Sequence, residues 1–274
     1  FYGQKVDPAS EVCVTSGATE GIFDATLALL DPGDEAVLFE PFYDSYVASV
    51  QMAGAVPRCV RLFPPDAKHT AWWFDEGELA AAFTAKTRLV FVNTPHNPTG
   101  KVFTRDELLL IGKLAAKHDA MVLADEVYEH LVFAPAKHVR MATLPGLAER
   151  TITLSSGGKS FSFTGWKIGW AIGPAPLVKA VQKAHQWVTF AAASPFQAAI
   201  AKALVLPDSY FTDFEAMYRG KRDLICSALD RAGLKPIVPE GTYFVIARTG
   251  AGTVSAFRID ATSNCPLNRL TNYC

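Results

Sequence analysis

Residues 155–170 read Ser-Ser-Gly-Gly-Lys-Ser-Phe-Ser-Phe-Thr-Gly-Trp-Lys-Ile-Gly-Trp. Lys159 lies among small residues directly after an apolar run, and a second lysine, Lys167, follows eight positions later. An amine in this setting is suited to hold an aldehyde as a Schiff base, because small neighbours allow close backbone approach. Most lysines are solvated surface charges. The interpretation therefore depends on the segments upstream of Lys159.

Short apolar runs alternate with helical patterns along most of the chain. Strands are predicted over residues 12–15, 36–39, 56–61, 88–93, 120–124, 151–155 and 168–172, and helices over 20–30, 44–53, 76–82, 105–118 and 175–188. Asp75 is a natural N-cap, and Thr104 forms a capping box with Glu107. Such alternation predicts an α/β fold with a mostly parallel central sheet and helices on both faces.

A change of pattern near residue 208 predicts two domains. Residues 1–208 form the large ligand-binding domain, and residues 209–274 form a long linking helix and an incomplete small α+β domain. The long helix is predicted over 210–232, with Gly233 at its end. The tail from Arg248 onward has no helical period and is expected to contain no long strand.

Composition limits the classes of partner. The chain has 274 residues, 50% hydrophobic and 19% charged, with a formal net charge of -1. This balance argues against nucleic acid or a membrane surface as a partner, and no apolar run is long enough to cross a bilayer. The five cysteines are odd in number and contain no Cys-x-x-Cys pair, which indicates a reducing cytoplasm. The dispersed histidines predict no metal site.

Three predicted strands end in polar residues, at the edge where parallel sheets bind ligands. The segment 15–20 opens a helix whose N-terminus could hold an anion, although Thr19 could simply be an N-cap. The segment 93–100 holds two asparagines in a proline-rich turn, and turn chemistry alone could explain them. Asp125 ends a buried strand, where a carboxylate needs a partner unless it caps a helix. Together with Lys159, these segments predict one site.

Three motifs resemble those of the class I/II pyridoxal-phosphate-dependent aminotransferases, of the fold shared with aspartate aminotransferase. They are Asn-x-Pro-x-Asn-Pro-Thr-Gly from residue 93, Asp-Glu-Val-Tyr from residue 125 and Ser-x-Gly-Lys-x-Phe-x-x-x-Gly-Trp-Lys-Ile-Gly from residue 156. The resemblance spans about residues 4 to 247. The sequences of residues 40–46 and 164–170 look most like those of the kynurenine/methionine/glutamine aminotransferase branch, with bacterial N-succinyldiaminopimelate aminotransferases as close neighbours.

The resemblance implies pyridoxal 5'-phosphate as cofactor and a role for each matching residue. Lys159 would form the Schiff base and move the substrate's proton, and Asp125 would pair with the pyridine nitrogen. Tyr128 and Asn97 would bind the phenolate oxygen, Tyr43 would stack on the ring, and Asn93 and Asn97 would lie near the substrate. The phosphate would be held by Ala18, Thr19, Ser156 and Lys167.

The implied function is transfer of an amino group from an aromatic, methionine or kynurenine-like α-amino acid to a 2-oxo acid, through pyridoxamine phosphate, in a cytoplasmic homodimer. Two alternatives stay open: a cysteine-S-conjugate β-lyase on the same site, and an inactive fragment or ligand-sensing module of this fold. Relative to the family, the sequence lacks a segment before Phe1 and is expected to end early. Arg258 has the flanks of the family's carboxylate-binding arginine but comes too soon in the chain for that role.

Overall fold

The computed structural model describes residues 2–249 and the backbone of residues 253–258. Its centre is a seven-stranded sheet in the order β1-β7-β6-β5-β4-β2-β3. The strands are β1 (Val12–Thr15), β2 (Glu35–Glu40), β3 (Val56–Arg61), β4 (Thr87–Asn93), β5 (Met121–Asp125), β6 (Thr151–Ser156) and β7 (Gly169–Ile172). All seven predicted strands are present, with ends that differ by at most one residue.

The sheet is parallel except at one strand. β7 runs antiparallel to both of its neighbours, β1 and β6, while β2 to β6 pair in parallel. The carboxyl ends of β1, β4, β5 and β6 therefore meet at one edge, where β7 begins. The predicted mostly parallel sheet is confirmed.

Helices cover both faces of this sheet. They are α1 (Gly17–Leu29), α2 (Ser45–Met52), α3 (Glu76–Ala82), α4 (Arg105–Lys117), α5 (Gly157–Ser160), α6 (Ala175–Val188), α7 (Ser194–Ala203) and α8 (Asp208–Arg231). Within β2, Ala36 and Leu38 pack with α1, α2 and α6, while Val37 and Phe39 pack with α3 and α4. Alternate residues of a buried strand thus serve opposite hydrophobic cores.

The predicted helix caps are present. Asp75 accepts a 2.7 Å hydrogen bond from the amide of Glu78, and Thr104 forms the capping box with Glu107. Helices α5 and α7 were not predicted. The alanine-rich α7 buries only Ile200 fully, so its sequence carries little of the periodic apolar pattern that identifies a helix.

A second, three-stranded sheet packs beside α8. It has the antiparallel order β10-β9-β8, with β8 (Lys235–Ile237), β9 (Phe244–Thr249) and β10 (Thr253–Arg258). The expectation that residues 248–274 contain no long strand was wrong, because β10 pairs with β9 over six residues. The two glycines at 250 and 252 are typical of a hairpin connection and not of a strand terminus. The division at residue 208 stays a prediction.

Among the helices that the structure describes, none has both the length and the apolar character of a membrane span.

Candidate functional site

A cavity of about 180 Å³ opens at the edge of the sheet where the parallel strands end. The strands and their following loops supply its walls. All ten side chains predicted for the site line it: Ala18, Thr19, Tyr43, Asn93, Asn97, Asp125, Tyr128, Ser156, Lys159 and Lys167. Residues that are up to 149 positions apart in the chain (18 to 167) are thus brought together.

Part of the cavity wall combines a helix N-terminus with a lysine ammonium group. Helix α1 begins at Gly17, with Ser16 as its N-cap residue, so Ala18 and Thr19 lie in its first turn. The predicted start at residue 20 was three residues late, and the alternative interpretation of Thr19 as an N-cap is wrong, because the chain turns at Gly17, where φ is 76°. A Cβ atom on Gly17 would lie 3.1 Å from Lys167 Nζ. The ammonium group and the positive end of the helix dipole therefore face one small space.

The close approach of β7 to this turn requires a second glycine. A Cβ atom on Gly169 would lie 2.6 Å from the backbone nitrogen of Ala18, nearer than any side chain permits. Ser156 ends β6 beside the same turn and is 6% exposed.

Asp125 also lines the cavity, at the carboxyl end of β5. Its carboxylate accepts a 2.6 Å hydrogen bond from the Tyr46 hydroxyl and a 3.3 Å one from the amide of Val127. Burial raises the pKa of Asp125 to about 6, against the lowering effect of the Tyr46 hydrogen bond. Residues 126–130 form turns and not a helix, so Asp125 is not a helix cap.

Asn93 positions the turn that carries Asn97. Its side chain donates a 2.9 Å hydrogen bond to the Asp125 carbonyl and accepts a 2.6 Å one from the Asn97 amide. Both ends of the Asn93 amide are thus engaged within the protein, and its contact with a substrate stays a prediction. The Asn97 side chain is half-buried in the cavity wall.

The Lys159 amine stands between two tyrosines. Lys159 Nζ donates a 2.6 Å hydrogen bond to the Tyr243 hydroxyl and lies 5.7 Å from the centre of the Tyr128 ring. The two tyrosine hydroxyls are 3.4 Å apart. Tyr43 borders the opening, where its hydroxyl is 3.4 Å from the Thr19 hydroxyl.

Sequence reasoning missed Tyr46 and Tyr243. Tyr46 lies within α2, away from any strand end, and reaches Asp125 only through the packing of that helix. Tyr243 lies in the segment before β9, far from the other site residues in the chain. Two backbone hydrogen bonds of 2.9 Å hold this segment in place, from the Thr242 amide to the Leu131 carbonyl and from the Gly241 amide to the Gly100 carbonyl. No local pattern marks either tyrosine.

The sequence model of the family "Aminotransferase class I and II" matches residues 1–268. The chain belongs to this family. The match extends through most of the tail after Arg248, beyond the residue 247 at which the motif resemblance was expected to end.

Relatives within the family carry transaminase names. The chain is similar to kynurenine–oxoglutarate transaminase 3 of Mus musculus, with 47% identity over 90% of this chain and 57% of that protein. It is 42% identical to kynurenine–oxoglutarate transaminase of Dictyostelium discoideum, over 92% of this chain and 61% of that protein. The chain thus spans less than two thirds of the length of these relatives.

A solved structure shares the fold. N-succinyldiaminopimelate aminotransferase from Mycobacterium tuberculosis superposes with a TM-score of 0.87 at 44% identity, over 90% of this chain and 63% of that one. The α/β fold of the aspartate aminotransferase type is therefore established for this chain.

Arg258 pairs through its backbone with Phe244 in the β10–β9 ladder. Its side chain lies outside the described residues, as does everything beyond it.

Proposed function

We propose that the protein is a pyridoxal-phosphate-dependent aminotransferase that moves an amino group from an α-amino acid to a 2-oxo acid. One observation carries the proposal: the lysine amine, the buried carboxylate and the anion-binding turn predicted for this chemistry all line one cavity. The family to which the chain belongs and the names of its relatives support it.

The residues present fit the cofactor. Its phosphate matches the small space between the start of α1 and the Lys167 ammonium, which a single Cβ on Gly17 would crowd. Its pyridinium nitrogen matches Asp125, a 5% exposed carboxylate that has no lysine or arginine ion pair in the described chain. When bound, pyridoxal phosphate supplies an electron-accepting ring that stabilises negative charge at the substrate's Cα.

The chain's own groups then have separate tasks. The Lys159 amine, positioned by the Tyr243 hydroxyl, would hold the cofactor's aldehyde and would move a proton to and from the substrate's Cα. Asp125, oriented by Tyr46, would pair with the pyridine nitrogen and keep it protonated. Tyr128 and Asn97 would bind the phenolate oxygen, and Tyr43 would stack on the ring.

The proposed donor is an aromatic, methionine or kynurenine-like amino acid. Two relatives are named kynurenine–oxoglutarate transaminases, and tyrosines border the cavity at 43 and 128. Nothing in the described structure favours β-elimination or ligand sensing over amino transfer. We further propose a homodimer and a cytoplasmic location. Cys13, Cys59 and Cys226 are free thiols, as expected in a reducing compartment.

Substitution of the lysine tests the assignment. The chain is incubated with pyridoxal 5'-phosphate, reduced with borohydride, denatured and digested, and the modified peptide is located by mass spectrometry. We expect the cofactor mass on the peptide that contains Lys159, and none in Lys159→Ala. The matched control is Lys113→Ala, which removes an exposed lysine from α4.

A wild-type chain that retains no cofactor mass, or a Lys159→Ala chain that is labelled as fully as Lys113→Ala, would contradict the proposal. Amino transfer itself is measured with kynurenine, methionine and phenylalanine as donors against 2-oxoglutarate and pyruvate. Release of pyruvate and ammonia from a cysteine S-conjugate without any 2-oxo acid would indicate β-lyase chemistry instead.

A further inference from the structure

A buried cluster of three ionisable side chains lies between α1 and α6, behind the turn that begins α1. Glu20 and Asp24 lie four residues apart on one face of α1, and His185 reaches them from α6. His185 Nδ1 is 2.9 Å from Glu20 Oε1 and 3.7 Å from Asp24 Oδ2. One ligand atom from each of the three side chains lies within 4.8 Å of the others.

Asp24 has no hydrogen-bond partner within the described structure. Its residue is 0% exposed, and both of its carboxylate oxygens are buried without a donor. Buried polar atoms are nearly always satisfied by protein, water or an ion. The two orphaned oxygens, of which Oδ2 is 3.7 Å from His185 Nδ1, therefore call for an occupant that satisfies them.

The surroundings of the cluster do not supply a positive charge. Glu20 accepts hydrogen bonds from the Ser16 amide and the Thr189 hydroxyl, both neutral. In the part of the chain that the structure describes, no lysine or arginine forms an ion pair with Glu20 or Asp24; only His185 does. The cluster therefore sets two carboxyl groups against a single imidazole.

We propose that Glu20, Asp24 and His185 bind one divalent transition-metal cation of the zinc kind. Zinc takes histidine nitrogen and carboxylate oxygen at about 2 Å, usually in four-coordinate sites. Ligand atoms at that distance from a common ion lie roughly 3–4 Å apart, which the observed spacing allows. The Thr189 hydroxyl or a water molecule completes the coordination. The single imidazole favours zinc or manganese over magnesium or calcium, which prefer oxygen ligands alone.

The site is separate from the cavity at the strand ends but shares α1 with it. Glu20 follows Thr19 directly. Its carboxylate accepts a hydrogen bond from the backbone amide of Ser16, the N-cap residue of the same helix. A cation here would tie the first two turns of α1 to the C-terminal end of α6. Sequence spacing gave no sign of it, because His185 is 165 positions from Glu20.

Metal retention by the untagged chain tests the proposal. The protein is treated with a chelator, incubated with zinc chloride, desalted and analysed for metal by mass spectrometry. We expect about one zinc ion per wild-type chain, and zinc affinity lowered by more than roughly 10–100-fold in Asp24→Asn and His185→Gln, since loss of outer-shell partners alone has that effect. Cobalt substitution of the wild type should give visible ligand-field absorption that both variants lack.

The matched control is His69→Gln, which removes an exposed histidine that also stands 2.9 Å from a carboxylate, Asp66. It should retain zinc as the wild type does. Thermal unfolding separates loss of a ligand from loss of the fold: without metal, Asp24→Asn should unfold at or above the wild-type temperature, because it removes an unsatisfied buried charge. Added zinc should raise the unfolding midpoints of the wild type and of His69→Gln, and should leave those of Asp24→Asn and His185→Gln unchanged. Absence of retained metal in the wild type, or equal retention by Asp24→Asn, would overturn the proposal.

Discussion

Asp125 links a proposed cofactor contact to a pH dependence of stability. Burial raises its pKa from 3.8 to about 6. Between these values the folded protein holds a proton that the unfolded chain releases, so stability falls as pH rises from about 4 to about 6. Above pH 6 the loss amounts to roughly 3 kcal/mol.

We predict that Asp125→Asn removes this dependence in the cofactor-free protein. Urea unfolding at several pH values between 4 and 7 should show the variant gaining free energy of unfolding relative to the wild type as pH rises. The control is Asp66→Asn at an exposed position, where a hydrogen bond from the Lys68 amide lowers the pKa of Asp66. Asp66 therefore titrates below the measured range, and the free energy difference between this variant and the wild type should stay nearly constant from about pH 4 to 7. A flat difference between Asp125→Asn and wild type would show that the Asp125 carboxyl is not destabilised by burial.

The sequence predicted those site residues that lie at or just after the ends of strands. Asn97, Asp125 and Lys159 follow buried strands in a parallel sheet, and such a sheet gathers whatever follows its strands. Tyr46 and Tyr243 also reach the site, but their positions depend on how α2 packs and where a remote loop docks. Those are tertiary properties without a local pattern.

The turn between β1 and α1 is the element on which the proposed phosphate binding depends. The turn can pack closely against β7 because β7 has a glycine, Gly169, at the point of contact. A Cβ atom on Gly169 would lie 2.6 Å from the Ala18 nitrogen and from the Gly17 carbonyl carbon. We predict that Gly169→Ala destabilises the protein by about 1–3 kcal/mol, as overpacking does. It should also weaken binding of pyridoxal phosphate, because the turn must shift away from Lys167.

Chemical unfolding and fluorescence titration with the cofactor measure both effects. The control, Gly220→Ala, lies exposed on α8, where a Cβ meets nothing within 4 Å. Alanine should stabilise that helix by about 0.5–1 kcal/mol without altering cofactor affinity. If Gly169→Ala matched Gly220→Ala in both measurements, close packing of β7 against the turn would not be needed.

Among elements, those with a strong periodic pattern were predictable and those held by context were not. The strands of the large sheet are short apolar runs between turn signals, which identify them with little ambiguity. Helix α5 has only four residues, too few to show the periodic spacing of apolar residues that identifies a helix. Its shape depends on contacts such as Ile200 of α7, whose side chain would lie 2.2 Å from a Cβ on Gly157. Strand β10 was not predicted because the glycine-rich sequence between it and β9 was interpreted as the end of the regular secondary structure.

At the scale of the molecule, the second sheet is joined to the first by a shared core. Val127 and Tyr128, which follow β5, pack with Phe214 of α8 and with Tyr243 and Phe244. The Lys159 contact to Tyr243 is a consequence of this docking. The proposed catalytic amine is therefore positioned by both parts of the chain.

Exposed aromatic side chains on and after α6 and beside α7 support the proposed homodimer. Trp187 and Phe190, at the end of α6, are 83% and 78% exposed. The ring of Trp166 stacks on that of Phe196 with 5.0 Å between the ring centres, and both side chains are more than a third exposed. Large aromatic groups are enriched in protein interfaces and are seldom left in water together. We propose that a second copy of this chain covers them.

Sedimentation equilibrium of the cofactor-loaded protein measures the association. We predict a dimer at micromolar concentration, with a dissociation constant raised by roughly tenfold or more in Trp187→Lys, since buried tryptophans contribute strongly to interfaces. Met52→Lys is the control, because Met52 is also apolar and 70% exposed but ends α2. Both substitutions add the same charge to an exposed position, so a general effect of charge would weaken association equally. A wild-type chain that sediments as a monomer, or equal dissociation constants for the two variants, would mean that the aromatic group at the end of α6 is not the dimer contact.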